Sequence, residues 1–130
     1  MVHNPAFYAK LLKQKILHYG VHCWLVNTGW VGGPYGIGKR ISIRYTRDLL
    51  NAALDGILDH SQYYMDPVFG FEVPKSSPGI PEEVFYPAQS WPSESAYMKR
   101  YHDLASRFKD NFKKYAPDSP QEVAAAGPVR

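Results

Sequence analysis

Apolar residues at Tyr8, Leu11, Leu12, Ile16 and Tyr19 recur three and four positions apart, the spacing that gathers them on one face of a helix. Asn4 stands where an N-cap belongs, Pro5 suits a first turn, and Gly20 offers the left-handed residue that stops a helix. The next run, His22-Cys23-Trp24-Leu25-Val26, is apolar without alternation. Runs of that kind are strands covered on both faces, as in the middle of a mostly parallel sheet. The pattern therefore predicts a buried strand over 23–26, with Cys23 as a small core residue. Such a strand needs neighbours on both edges, and the rest of the sequence supplies few.

A glycine-rich loop, Thr28 to Gly38, leads into residues 39–45, which alternate with period two. Read as extended, Arg40, Ser42, Arg44 and Thr46 project to one side while Ile41, Ile43 and Tyr45 face the other. Thr46 is expected to cap a helix with Leu49, Leu50 and Ala53 as its apolar stripe and Gly56 as its stop. Pro67, Pro74, Pro78, Pro81, Pro87 and Pro92 make the middle of the chain extended and irregular. Ser93 is the expected cap of a last helix. Its stripe is Tyr97, Tyr101, Leu104, Ala105, Phe108, Phe112 and Tyr115, its final turns carry Lys109, Lys113 and Lys114, and Pro117 stops it. Residues 116–130 read as a flexible tail. The length is that of one domain.

Composition narrows the classes. The chain has 130 residues, 45% of them hydrophobic, with a net charge of only +3, which excludes intrinsic disorder. Fifteen Lys and Arg against 12 Asp and Glu leave too slight an excess for a clustered basic face, which argues against nucleic acid. No run approaches the ~20 apolar residues of a membrane span, and Lys10, Lys13 and Lys15 interrupt the first segment as no signal peptide would allow. One cysteine excludes an internal disulfide framework. A soluble, cytoplasmic chain is the expectation.

Candidate chemistry centres on the glycine loop. Gly33-Pro34-Tyr35-Gly36-Ile37-Gly38-Lys39 satisfies G-x-x-x-x-G-K, but Arg40 follows where a magnesium-binding hydroxyl belongs. A true phosphate loop also opens directly into a helix, and Pro34 removes an amide donor. The strip of Arg40, Ser42, Arg44 and Thr46 beside the loop suits an anionic ligand. The residues alone leave open whether it contacts one or is simply solvated charge. His3, His18, His60 and His102 form no metal-ligand spacing, and no base at a useful interval can be named for Cys23. Asp55 and Asp59 flank Gly56 at a helix end, and Glu82-Glu83 starts a turn of helix.

Several strings nonetheless resemble ATP-dependent phosphoenolpyruvate carboxykinases. They are Trp24-Leu25-Val26-Asn27-Thr28-Gly29-Trp30, Gly32 through Ile41, Tyr45-Thr46-Arg47, Pro67 through Pro74, Pro78-Gly79-Ile80-Pro81, Leu104 through Phe108 and Asn111-Phe112. One departure is Tyr86-Pro87-Ala88-Gln89-Ser90-Trp91, where the family usually has Asn-Pro-Arg before the tryptophan. The resemblance implies an α/β fold over 1–130, an α+β mixed sheet with flanking helices, as an incomplete C-terminal portion of the nucleotide-binding domain. It implies a carboxy-lyase of gluconeogenesis converting oxaloacetate and ATP to phosphoenolpyruvate, carbon dioxide and ADP. The family's phosphate loop, its Mg2+ and Mn2+ ligands and its oxaloacetate-binding arginines would lie upstream, so the chain alone is expected to be inactive. What would remain is the nucleoside side of the ATP site: a guanidinium from Arg40, backbone and apolar contact from Ile41, and a hydroxyl from Thr46. No catalytic or metal-binding residue is expected here. A free-standing nucleotide or anion module, or a remnant docking on a companion chain, are the rival readings.

Overall fold

The computed structural model describes residues 3–129. Helix α1 spans Pro5–Tyr19. The Asn4 side chain accepts from the Ala6 amide at 3.0 Å, and Gly20 closes the helix at φ 59, donating its own amide to Ile16 O at 2.9 Å. Both ends follow the sequence pattern, because capping chemistry is local.

Residues 21–28 do not form the predicted strand. They run on without a backbone–backbone hydrogen bond among the described residues. Cys23 is exposed, not a core residue, and Leu25 is 82% exposed. The reason is physical: an apolar strand is held by ladder partners on its edges, and nothing in the described residues supplies them.

Two short antiparallel pairs make up the sheet structure among the described residues. β1 (Trp30–Val31) pairs with β2 (Lys39–Arg40), and β3 (Tyr63–Met65) pairs with β4 (Glu72–Pro74). With their flanking helices they give an α/β molecule in the broad sense, built from hairpins. Gly38 is fixed by close approach in the first hairpin, since a Cβ there would lie 2.5 Å from Gly33 O and 2.6 Å from Val31 O.

Helix α2 spans Ile43–Leu54 and corrects two expectations. Residues 41–45 are not a strand, and the cap is Ser42, whose Oγ accepts from the Arg44 amide at 3.2 Å, rather than Thr46. Extension beyond Arg40 would need a pairing partner, and the β1 strand ends opposite that residue. Ser42 offers the segment a helix start instead. Gly56, at φ 73, lies just past the helix as its pattern predicts. The proline-rich middle is irregular, with single helical turns at Leu58–His60, Glu82–Val84 and Pro87–Ser90. Ser93 caps α3 (Glu94–Phe112), its Oγ accepting from Ala96 N at 3.2 Å.

Beyond α3 come a turn at Ala116–Asp118 and the short α4 (Gln121–Ala125). Lys13 in α1 reaches Glu122 in α4 at 2.5 Å, Asn4 reaches Asp118 at 2.7 Å, and Val129 N donates to Val68 O at 2.8 Å.

The core is small. Ala52, Leu58, Val68, Phe85 and Ala105 are its buried apolar residues, while large side chains including Leu12, Leu17, Leu25, Tyr35, Ile37 and Leu54 stand in solvent. The accessible surface is 9986 Å². A self-contained monomer of this mass exposes only about 7,000 Å². The excess means that these elements do not close a core of their own.

Candidate functional site

The glycine loop is a hairpin connection. Its string Gly33 to Lys39 runs into β2, and α2 begins only at Ile43, so no helix N-terminus receives an anion there. Two amides of the loop are already spent: Ile37 N and Gly38 N both donate to Pro34 O, at 3.0 and 2.9 Å. A phosphate could not use them.

Arg40 sits exposed in β2 opposite Trp30, and among the described residues no carboxylate lies within ion-pair distance of it. Arg44, by contrast, faces Asp48 at 3.7 Å one helical turn on. The next residue, Ile41, is half-buried and anchored by its amide to Gly29 O at 3.0 Å. Its side chain enters the wall of an apolar cleft of about 300 Å³, together with Trp24, Val26, Trp30, Leu49, Val73 and Phe85. Thr46 is half-buried in the first turns of α2, with its Oγ1 donating to Ser42 O at 3.3 Å. Neither Arg40 nor Thr46 lines the cleft that Ile41 lines. The extended strip does not exist as such: Arg40 belongs to a strand, Ser42 is a cap, and Arg44 and Thr46 are helical.

The wall of that cleft went unmarked in the sequence because its residues come from five separate segments with no shared period. A second grouping went unmarked too. Asp66 is buried, and its Oδ1 accepts from the amides of Val68 and Phe69 at 2.9 and 2.6 Å. Its Oδ2 accepts from the Tyr101 hydroxyl at 2.5 Å. Asp-Pro followed by glycine at position 70 is the turn chemistry that could have flagged it. Burial pushes the neighbouring phenols up: Tyr101 and Tyr64 are raised, and Tyr97 is pushed up to about 12, first by burial and then by the charge of Asp66.

Against known proteins, a sequence profile of the phosphoenolpyruvate carboxykinase family matches residues 1–83. The chain is 48% identical over 125 residues to the phosphoenolpyruvate carboxykinase (ATP) of Thermus thermophilus, covering 96% of this chain and 24% of that protein. The namesake of Pelobacter propionicus is likewise 48% identical over 126 residues, 97% of this chain and 24% of that one. The chain belongs to the ATP-dependent phosphoenolpyruvate carboxykinase family.

The chain spans about a quarter of the length of the curated relatives it matches. The same holds for the Salinibacter ruber relative, 46% identical over 128 residues. Divalent metals accompany ATP in this family. Among the described residues, no three His, Cys, Asp or Glu side chains gather in one place. Among them, too, no helix is long and apolar enough to cross a membrane.

Proposed function

We propose that the chain contributes the nucleoside side of the ATP site of a phosphoenolpyruvate carboxykinase, through Arg40, Ile41 and Thr46. The observation that carries this is the pairing of an exposed guanidinium lacking any carboxylate partner among the described residues with an apolar slot entered by the very next side chain. A purine nucleoside presents an apolar ring flanked by polar edges, which such a pairing can hold. Thr46 supplies the third group from α2: its hydroxyl spends its proton on Ser42 O and keeps its lone pairs free to accept from an amino group.

On this reading the reaction served is the conversion of oxaloacetate and ATP to phosphoenolpyruvate, carbon dioxide and ADP, in cytoplasmic gluconeogenesis. Phosphoryl transfer works through positioning and charge stabilisation around the phosphates. The chain brings neither a metal cluster nor a phosphate cradle among its described residues, so alone it does not turn over. It acts packed against its companion part, the portion of the enzyme that corresponds to the remaining three-quarters of the relatives' length. The surplus of exposed surface over that of a self-contained monomer, on the order of 3,000 Å², favours such docking over a free-standing module.

Two measurements test the reading. ATP should raise the melting temperature of the chain joined to its companion, and Arg40→Ala and Thr46→Ala should each diminish the shift. The purified chain should form no phosphoenolpyruvate, and mixing it with the remainder of a relative should restore formation. An unchanged ATP shift in both variants would remove the nucleoside assignment.

A further inference from the structure

We propose that the cleft between β3, residues 87–90 and α3 is a binding site for a small organic ammonium cation, a site independent of the nucleotide reading above. The cleft has a volume of about 400 Å³, within the range of small-molecule sites. Tyr64, Tyr86, Tyr97 and Tyr101 line it, Asp66 lies in it, and Glu94 stands at the start of α3 along its edge. Glu94, Tyr97 and Tyr101 face it together because they recur three and four apart on one helix.

The charge balance selects the ligand. Asp66 is only 8% exposed, yet among the described residues no Lys, Arg or His lies within ion-pair distance of it or of Glu94. A buried carboxylate ordinarily has a cation beside it. Here it has two amides and a phenol, which satisfy its hydrogen bonds and leave its charge uncancelled. Burial keeps Tyr64, Tyr97 and Tyr101 protonated well above neutral pH, so they add no competing anions, and aromatic rings attract positive charge. Anions are repelled by the same two carboxylates. A hard metal ion finds too few free oxygens, because three hydrogen bonds already occupy Asp66. An alkylated ammonium matches both features, laying its apolar shell on the rings and its charge towards Asp66 and Glu94.

The test is titration of the chain joined to its companion part with tetramethylammonium chloride, following the cation's methyl resonances and the tyrosine ring resonances by NMR, with sodium chloride at equal ionic strength as reference. Saturable upfield movement of the methyl signal, with perturbation centred on Tyr64, Tyr97 and Tyr101, is expected. Tyr97→Leu should weaken binding roughly 2- to 30-fold, and Glu94→Gln by about two- to fivefold. Glu94 is exposed, so its variant leaves the fold intact, and it decides the matter together with the resonance map if Tyr97→Leu does not fold. A response matched by sodium, one mapping elsewhere, or equal affinity in Glu94→Gln would overturn the proposal.

Discussion

The Tyr101 hydroxyl donates to the Asp66 carboxylate at 2.5 Å, tying α3 to the β3–β4 turn across 35 residues of sequence. The same carboxylate holds two amides of its own turn, so one side chain shapes a loop and fastens a helix to it. Tyr101→Phe leaves the ring packing in place and removes one hydrogen bond to a charged acceptor, a loss of about 1.5–3 kcal/mol. Asp66→Ala removes all three bonds and should cost more. Urea unfolding should show a lower midpoint at unchanged slope for Tyr101→Phe. An unaltered midpoint would mean the contact adds nothing.

Alkaline pH probes the same cluster. Burial favours the neutral phenol, so the folded-state pKa of Tyr97, about 12, lies above its unfolded value of 10.0. The neutral ring's contribution is therefore complete below pH 10, and it is lost as pH rises towards 12. Stability should fall across that window, and a Tyr97→Phe chain should fall less steeply. Ultraviolet titration of tyrosinate absorbance, paired with melting at each pH, measures both sides of the linkage. A Tyr97 that titrates at the ordinary tyrosine value would contradict its burial.

The capping residues show what a sequence can reveal and what it cannot. Asn4, Gly20 and Ser93 act where the pattern puts them because each cap is decided within a few residues. Cys23 to Val26 misled, since whether an apolar run becomes a strand depends on partners elsewhere in space. Residues 41–45 misled for a related reason: KRISIRY alternates, but only Lys39 and Arg40 have a strand opposite them. Of the proposed nucleoside site, Arg40, Ile41 and Thr46 are named from strings that resemble the family's. The cleft wall that Ile41 joins could not, because Trp24, Leu49, Val73 and Phe85 meet only through tertiary packing.

The helix start at Ser42 makes a sharp comparison possible. Ser42→Ala removes the side-chain acceptor for the Arg44 amide and should cost about 1 kcal/mol. Thr46→Ala, four residues inside α2, loses only a long bond back to Ser42 O and should cost less. Thermal melts of the two variants, with amide exchange across residues 43–47, distinguish them. A larger effect at Thr46 would restore it as the cap.

Gly38 should resist substitution more than a glycine with positive φ in open space. A Cβ on Gly38 meets two carbonyl oxygens of the backbone, which cannot swing away as a side-chain tip can. Gly38→Ala should cost about 1–3 kcal/mol by overpacking and loosen the pairing of Trp30 with Arg40. Gly79, at φ 75 with nothing within 4 Å of a Cβ, should cost about 1 kcal/mol on substitution by Ala. Amide exchange at Ile41, whose amide bonds Gly29 O at the mouth of the hairpin, reports the difference.

Leu25 is the most direct probe of the unclosed core. It is 82% exposed in a stretch whose backbone groups have no backbone partners among the described residues, and Val21 and Val26 beside it are 51% and 40% exposed. Unpaired, apolar and nearly uncharged, this stretch is the kind of edge that recruits another chain. The chain alone should therefore bind a hydrophobic dye and sediment as concentration-dependent assemblies. Leu25→Lys should reduce both, because a charge in such an edge opposes pairing while costing little where the side chain is already in solvent. The companion part should suppress both in the parent chain by covering the same surface. A monodisperse, dye-free monomer that melts cooperatively would show that residues 21–28 need no neighbour, and the surplus surface would then require another explanation.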